Sequence, residues 1–177
     1  DLALGTRRAR AALLQMLALP GSAYVYLGEE LGLPEVEDLP EDALLDPMFE
    51  RSGRISRGRD GCRVPLPWSG DSPPYGFSQP GVRTWLPQPT DWARYTVTAL
   101  QGHPGSMLEF YRAALHLRRA HPALGDGSMQ WLDTPEGVLG FAREPGLHCV
   151  VNYSRVPYAL PPDAEILLAS SDFDIAD

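Results

Sequence analysis

Across Pro20 and Gly21 the chain passes from a helix-like segment straight into a short run of β-formers, a succession that points to helices covering a parallel sheet. Thr6 to Leu19 (TRRARAALLQMLAL) offers a Thr6 N-cap, strong helix formers and a second half that is apolar almost all round. That pattern predicts a helix buried over much of its surface. Ser22 to Leu27 (SAYVYL) neither alternates nor carries charge, as expected of a central strand covered on both faces. Immediately beyond it stand two acids, Glu29 and Glu30, in LGEELG.

From Gly28 to Pro104 the chain is rich in Pro, Gly, Asp and Arg, with short candidate helices at Glu41–Leu45 and Asp91–Gln101. An irregular stretch of this length inside a compact domain is usually functional. Ser106 to Glu109 reads as a capping box, S-x-x-E, opening a helix to about Ala120 that Pro122 and Gly125 end. After Met129 come MQWL, VLGFAR, HCVVNYS and EILLAS, separated by turn residues at hairpin spacing. The fold class expected is therefore α/β plus all-β, an α/β part followed by a small antiparallel sheet.

Composition excludes several functions. The 177 residues hold 15 basic and 23 acidic side chains, a net charge of −8, and all the basic residues are Arg, so a surface for duplex nucleic acid is not expected. No apolar run approaches the roughly 18 to 20 residues that cross a bilayer, so no membrane partner is expected either. Two cysteines, Cys62 and Cys149, are too sparse for a disulfide scaffold, and the four histidines fall in no zinc-ligand spacing. With no secretory signal before the first helix, a cytoplasmic protein is expected. The start at Asp1 and the end in DFDIAD are expected to be cut ends of a longer chain.

Two segments carry candidate chemistry. Glu29 and Glu30 lie where α/β architectures gather functional loops, or else they cap the next turn and pair with arginines. In Arg57 to Trp68 (RGRDGCRVPLPW) three arginines surround Asp60 in a Gly-rich loop. That suggests a guanidinium fork on a carboxylate, or an ion-paired structural loop.

Taken together, these motifs resemble the C-terminal part of an α-glucosidase of the α-amylase family of glycoside hydrolases. That family carries P-G-x-x-x-x-Y-Q-G-E-E-[LI]-G, matched by PGSAYVYLGEELG at Pro20–Gly32, and G-R-D-[GN]-x-R-T-P-M-x-W, matched by GRDGCRVPLPW at Gly58–Trp68. Gly76-Phe77-Ser78, Trp85 to Pro89, Ser106 to Leu108 and Tyr111-Arg112 continue the match. Three positions depart from it: Leu27 replaces Gln, Val64 replaces Thr and Leu66 replaces Met.

The resemblance implies that residues 1–124 are the last portion of a (β/α)8 barrel and residues 125–177 a truncated antiparallel C-terminal domain. It implies a retaining mechanism, with a carboxylate nucleophile and a carboxylic acid about 5 to 5.5 Å apart. No acid in the sequence matches the family's three catalytic carboxylates, so no catalytic residue is expected in this chain, nor any metal or cofactor. Arg63 matches the arginine that pairs with an early-barrel Asp and helps grip the non-reducing-end glucose, a pairing that closes the far end of the pocket. Arg59 and Asp60 are expected to support its loop, with Glu29 and Glu30 in the same supporting role. Trp68, Tyr75, Phe77, Trp85 and Trp92 offer sugar-stacking surface, though packing accounts better for most of them. The implied partners are an α-glucoside or maltooligosaccharide and the rest of the same barrel. The alternatives are a non-catalytic amylase-like binding or partner subunit, against which the intact arginine loop weighs, and a carbohydrate-binding module on the small β unit.

Overall fold

A computed structural model describes residues 1–171; residues 172–177, which the sequence reading assigns to the C-terminal β domain, lie outside that range. Two compact units emerge, one built from residues 1–24 with the chain from Phe110 onward, the other from Val25–Glu109.

In the first unit, helix α1 spans Leu2–Ala18. It starts earlier than Thr6 because Asp1 caps it, its Oδ1 accepting from the Leu4 N–H at 3.2 Å. Thr6 lies inside the helix and donates its hydroxyl to the Leu2 carbonyl at 3.0 Å. Strands β1 (Met129–Trp131), β2 (Val138–Arg143) and β3 (Leu147–Asn152) pair antiparallel in that order. A three-residue turn joins β2 to β3, with Gly146 at φ +70°, the left-handed position such hairpins demand. Ala18, Ala123, Leu124, Phe141 and Leu147 form the buried core. Phe141 meets Trp131 edge to face, ring centroids 5.8 Å apart.

Arg143 fastens this unit. Only 1% exposed, its guanidinium donates to the carbonyls of Ala18 at 2.7 Å, Gly125 at 2.6 Å, Gly127 at 3.1 Å and Ser128 at 3.1 Å. A buried charge is tolerable when its donors are satisfied, and here backbone oxygens replace water.

The second unit organises itself with little regular structure, as the long Pro- and Gly-rich stretch predicts. Val36, Leu39, Val64, Tyr75, Leu86 and Trp92 make its core. The Tyr75 hydroxyl donates to the Pro89 carbonyl at 3.0 Å and accepts from the Trp92 N–H at 3.2 Å. Its helices are short: α2 (Pro47–Arg51) and α3 (Val97–Leu100). Over Glu41–Leu45 the chain makes one 3-10 turn, Glu41–Ala43. The helix expected at Asp91–Gln101 divides into a 3-10 turn, Trp92–Tyr95, and α3, because Thr96 takes extended dihedrals and caps α3 by accepting from the Ala99 N–H at 3.2 Å.

Helix α4 (Met107–Ala120) ends where expected. Ser106 Oγ accepts from the Glu109 N–H at 3.2 Å, one half of the capping box. The other half differs, since the Glu109 carboxylate accepts from the Gly102 N–H at 2.8 Å while the Ser106 N–H goes to the His103 carbonyl.

Two expected strands do not form among the described residues. Residues 22–26 carry no regular structure and Leu27 opens a turn; Tyr24 is 84% exposed, and Val25, Tyr26 and Leu27 are exposed as well. A strand exists through its ladder partners, and this run of β-formers has none within the β1–β3 sheet. EILLAS is likewise irregular, with Ile166 and Leu167 exposed and Ser170 tied through its carbonyl to Arg10 Nε at 2.7 Å. No helix among the described residues is long and apolar enough to cross a membrane.

Candidate functional site

The LGEELG segment folds as a tight turn between two left-handed glycines, Gly28 at φ +93° and Gly32 at φ +67°. Glu30 turns back on it, its carboxylate accepting from the Gly28 N–H at 2.8 Å. Of the two readings of these acids, local capping describes Glu30, and Glu29 is exposed.

The GRDGCR loop is shaped by close approaches. A Cβ on Gly61 would lie 2.5 Å from the Val36 carbonyl oxygen, and one on Gly58, at φ +68°, would lie 2.5 Å from the Asp46 carboxyl carbon. Only glycine permits either contact. Asp60 is buried, but among the described residues none of Arg57, Arg59 and Arg63 pairs with it. The fork expected around Asp60 is therefore corrected. Its Oδ2 accepts two backbone N–H groups instead, from Leu45 at 2.6 Å and Asp46 at 2.7 Å. Two amides of an adjacent segment satisfy a buried carboxylate without the cost of ordering a long cation. Arg57 donates to the Leu39 carbonyl, while Arg59 serves through its backbone N–H.

The carboxylate that Arg63 does hold is Asp46, which the sequence reading missed. Arg63 Nη1 donates to Asp46 Oδ2 at 3.1 Å, with 38% of the arginine side chain and 11% of the aspartate side chain exposed. Oδ2 also accepts from the Arg59 N–H at 3.0 Å, and Oδ1 caps α2 by accepting from the Met48 N–H at 2.9 Å. These amides, the Met48 N–H foremost, hold the Asp46 pKa below the usual carboxylate value, and the nearby Arg63 and Arg59 charges add to the effect. Among the described residues Nη1 is the one nitrogen of the Arg63 fork with an acceptor. Nε and Nη2 have no acceptor among those residues and keep their donor capacity.

Trp85 lies against the same loop, its indole N–H donating to the Arg63 carbonyl at 3.3 Å and its ring meeting Phe77 edge to face at 5.2 Å. Trp85 is 55% exposed and Trp68 is exposed too, whereas Tyr75 and Trp92 are core residues. Packing thus explains two of the five aromatics and leaves three facing outward. A hollow of about 190 Å³ opens beside the loop, lined by Leu27, Gly28, Cys62, Val64, Leu66 and Trp92 among others. All three positions that depart from the family pattern line it, so the hydrogen-bonding groups lost at 27 and 64 are lost together. No group of three or more His, Cys, Asp or Glu able to hold a metal occurs among the described residues.

Comparison with known proteins agrees with these motifs. The family described as alpha amylase, catalytic domain, matches residues 2–127. A probable alpha-glucosidase of Rhizobium meliloti is 37% identical over 142 residues, covering 78% of this chain and 25% of its own length. The trehalose synthase/amylase TreS of Mycobacterium tuberculosis is 30% identical over 162 residues, covering 85% of this chain and 24% of that protein. Among solved structures, the alpha-glucosyl transfer enzyme XgtA superposes with a TM-score of 0.68 at 40% identity, over 77% of this chain and 25% of that one. The chain spans about a quarter of the length of these two curated relatives.

Proposed function

The chain belongs to the α-amylase family of glycoside hydrolases, and on that premise we propose that it is the Arg63-bearing portion of a retaining α-glucosidase releasing terminal α-linked glucose from short oligosaccharides or α-glucosides. The observation that carries this reading is Arg63, its side chain 38% exposed and its guanidinium anchored, among the described residues, through Nη1 alone. The remaining edges of a planar fork suit the early-barrel carboxylate that the resemblance implies and the hydroxyl oxygens of a terminal sugar, each charge-assisted hydrogen bond fixing orientation as well as contributing affinity. Gripping the terminal ring this way favours attack at a chain end. Residues 1–124 would then be the last part of a (β/α)8 barrel, in which the exposed run 22–27 pairs with strands that these residues do not supply.

Arginine only orients the sugar. Cleavage needs an attacking carboxylate and a proton donor on opposite sides of the glycosidic bond. Glu30 is engaged with the Gly28 N–H and Asp60 with two backbone amides. Both carboxylates are engaged locally, and the family resemblance places both catalytic acids in protein outside these residues. Sparse cysteines support a cytoplasmic location for the whole enzyme.

The test is hydrolysis of a chromogenic α-glucoside at neutral pH by the intact protein and by the 177-residue chain alone. Turnover by the intact protein and none by the chain is the expected pair. Hydrolysis by the chain alone, abolished in Glu29→Gln or Glu30→Gln, would put the active site here instead.

A further inference from the structure

We propose that Asp46 is a positioning residue for Arg63: its carboxylate, itself fixed by backbone amides, sets the direction in which the guanidinium meets the sugar. The proposal rests on the reading of Arg63 given above and adds a residue to it. A helix cap needs one carboxylate oxygen, and Oδ1 fills that need by accepting from the Met48 N–H at 2.9 Å. Oδ2 does something else, receiving the Arg59 N–H at 3.0 Å and Arg63 Nη1 at 3.1 Å. Asp46 thus joins three points of the chain, the start of α2 and both ends of the arginine loop.

The carboxylate is held from behind as well. Asp60 takes the N–H groups of Leu45 and Asp46 at 2.6 and 2.7 Å, fixing the backbone from which Asp46 projects. Gly58 closes over the carboxyl carbon so tightly that any Cβ would fall 2.5 Å from it. Asp60 therefore sets the Asp46 backbone, Asp46 sets the guanidinium, and the remaining edges of the fork face the ligand. A bidentate pair would have consumed two nitrogens, whereas contact that among the described residues runs through Nη1 alone orients the fork and leaves Nε and Nη2 for the early-barrel carboxylate and the sugar. Displacements near 1 Å at a reacting centre are costly, which gives a rigid anchor its value.

Asp46→Asn separates positioning from folding, because asparagine caps helices about as well as aspartate. With the amide oxygen on the Met48 N–H, the –NH2 group faces two donors and cannot hold Arg63. In the intact protein, kcat/KM on a chromogenic α-glucoside should fall roughly 10- to 100-fold in Asp46→Asn and Arg63→Ala alike, the scale of one or more lost charge-assisted hydrogen bonds. Asp46→Asn/Arg63→Ala should lose no more than Arg63→Ala alone, because Asp46 acts through Arg63. Multiplying losses in the double variant, or near-wild-type kcat/KM in Asp46→Asn, would overturn the proposal.

A second measurement does not need turnover. In protein labelled with 15N-arginine, the guanidinium signal of Arg63, identified by its absence from Arg63→Lys, should shift and exchange faster with water in Asp46→Asn. A signal indifferent to Asp46→Asn overturns the proposal whatever the activity. An intact protein that turns over no α-glucoside while this signal depends on Asp46 defeats the α-glucosidase reading and leaves the pairing established.

Discussion

Replacing Arg143 with Met removes a guanidinium but keeps most of the side-chain volume, so it tests how far one buried cation fastens the first unit. Four carbonyls, those of Ala18, Gly125, Gly127 and Ser128, lose their donor together. Each hydrogen bond to a charged group contributes about 1.5–3 kcal/mol net, which summed would exceed what one side chain can supply. Two effects reduce it: the guanidinium's desolvation cost vanishes in Arg143→Met, and the 125–128 turn regains some water. A buried carbonyl left without a donor costs about 1–3 kcal/mol, so four of them less these offsets give an expected net loss of about 3–5 kcal/mol. Arg143→Lys should lose more than half as much, since an ammonium on a flexible stem cannot reach four carbonyls spread around a planar fork. The assay is amide hydrogen exchange of β2 and β3, read locally so that unfolding elsewhere does not mask it. A factor of ten corresponds to about 1.4 kcal/mol, so these amides should exchange at least about 100-fold faster in Arg143→Met. Acceleration below about fivefold would refute the reasoning and assign the unit's stability to its apolar core alone.

Further outcomes follow from the loop and its surroundings. Gly58→Ala should destabilise the arginine loop by about 2 kcal/mol or more, from left-handed strain plus displacement of Asp46, whereas Gly53→Ala, also at φ +68° but with nothing within 4 Å, should cost only the strain of about 1 kcal/mol; exchange at the Leu45 and Asp46 amides measures both. The folded pKa of Asp46 lies below its ordinary 3.8, so its contribution to stability is complete above that value and is lost as pH falls through the folded pKa. Protection of the Met48 and Arg59 amides should therefore drop at acid pH in the wild type and show no such step in Asp46→Asn. Burial pushes the Cys149 thiol up to about 11, so at pH 8 only about one molecule in a thousand carries the thiolate, and alkylation of Cys149, followed by mass spectrometry, should await unfolding.

What was legible in the sequence was mostly local. Ser106 announced α4 because a hydroxyl needs only the amide three residues on. The β1–β3 meander was readable because its strands are sequence neighbours joined by short turns, Gly146 among them. Glycines 58 and 61 signalled close backbone approach, but not to what: their neighbours, Asp46 and the Val36 carbonyl, come from elsewhere in the chain. The same limit explains the errors. Ser22–Leu27 has the composition of a strand, yet composition does not provide a ladder partner. Asp60 stands among arginines in sequence but bonds in space to amides 14 and 15 residues away along the chain. Asp46 lies 17 residues before the arginine it holds; Asp followed by Pro marks a helix start and would have located α2, but no local rule ties that cap to Arg63. Arg143 closes a β-strand where an exposed cation is the ordinary expectation, and only the carbonyls gathered around it explain its burial.

The central claim is that the planar fork of Arg63 orients a terminal α-linked glucose, and the direct measurement is kcat/KM on maltose for Arg63→Lys beside Arg63→Ala in the intact protein. Lysine keeps the charge and loses the plane, so if geometry is what matters the two variants should fall together, roughly 10- to 100-fold below wild type and within a fewfold of each other. Near-wild-type turnover by Arg63→Lys, with Arg63→Ala impaired, would show that charge alone suffices and would contradict the account.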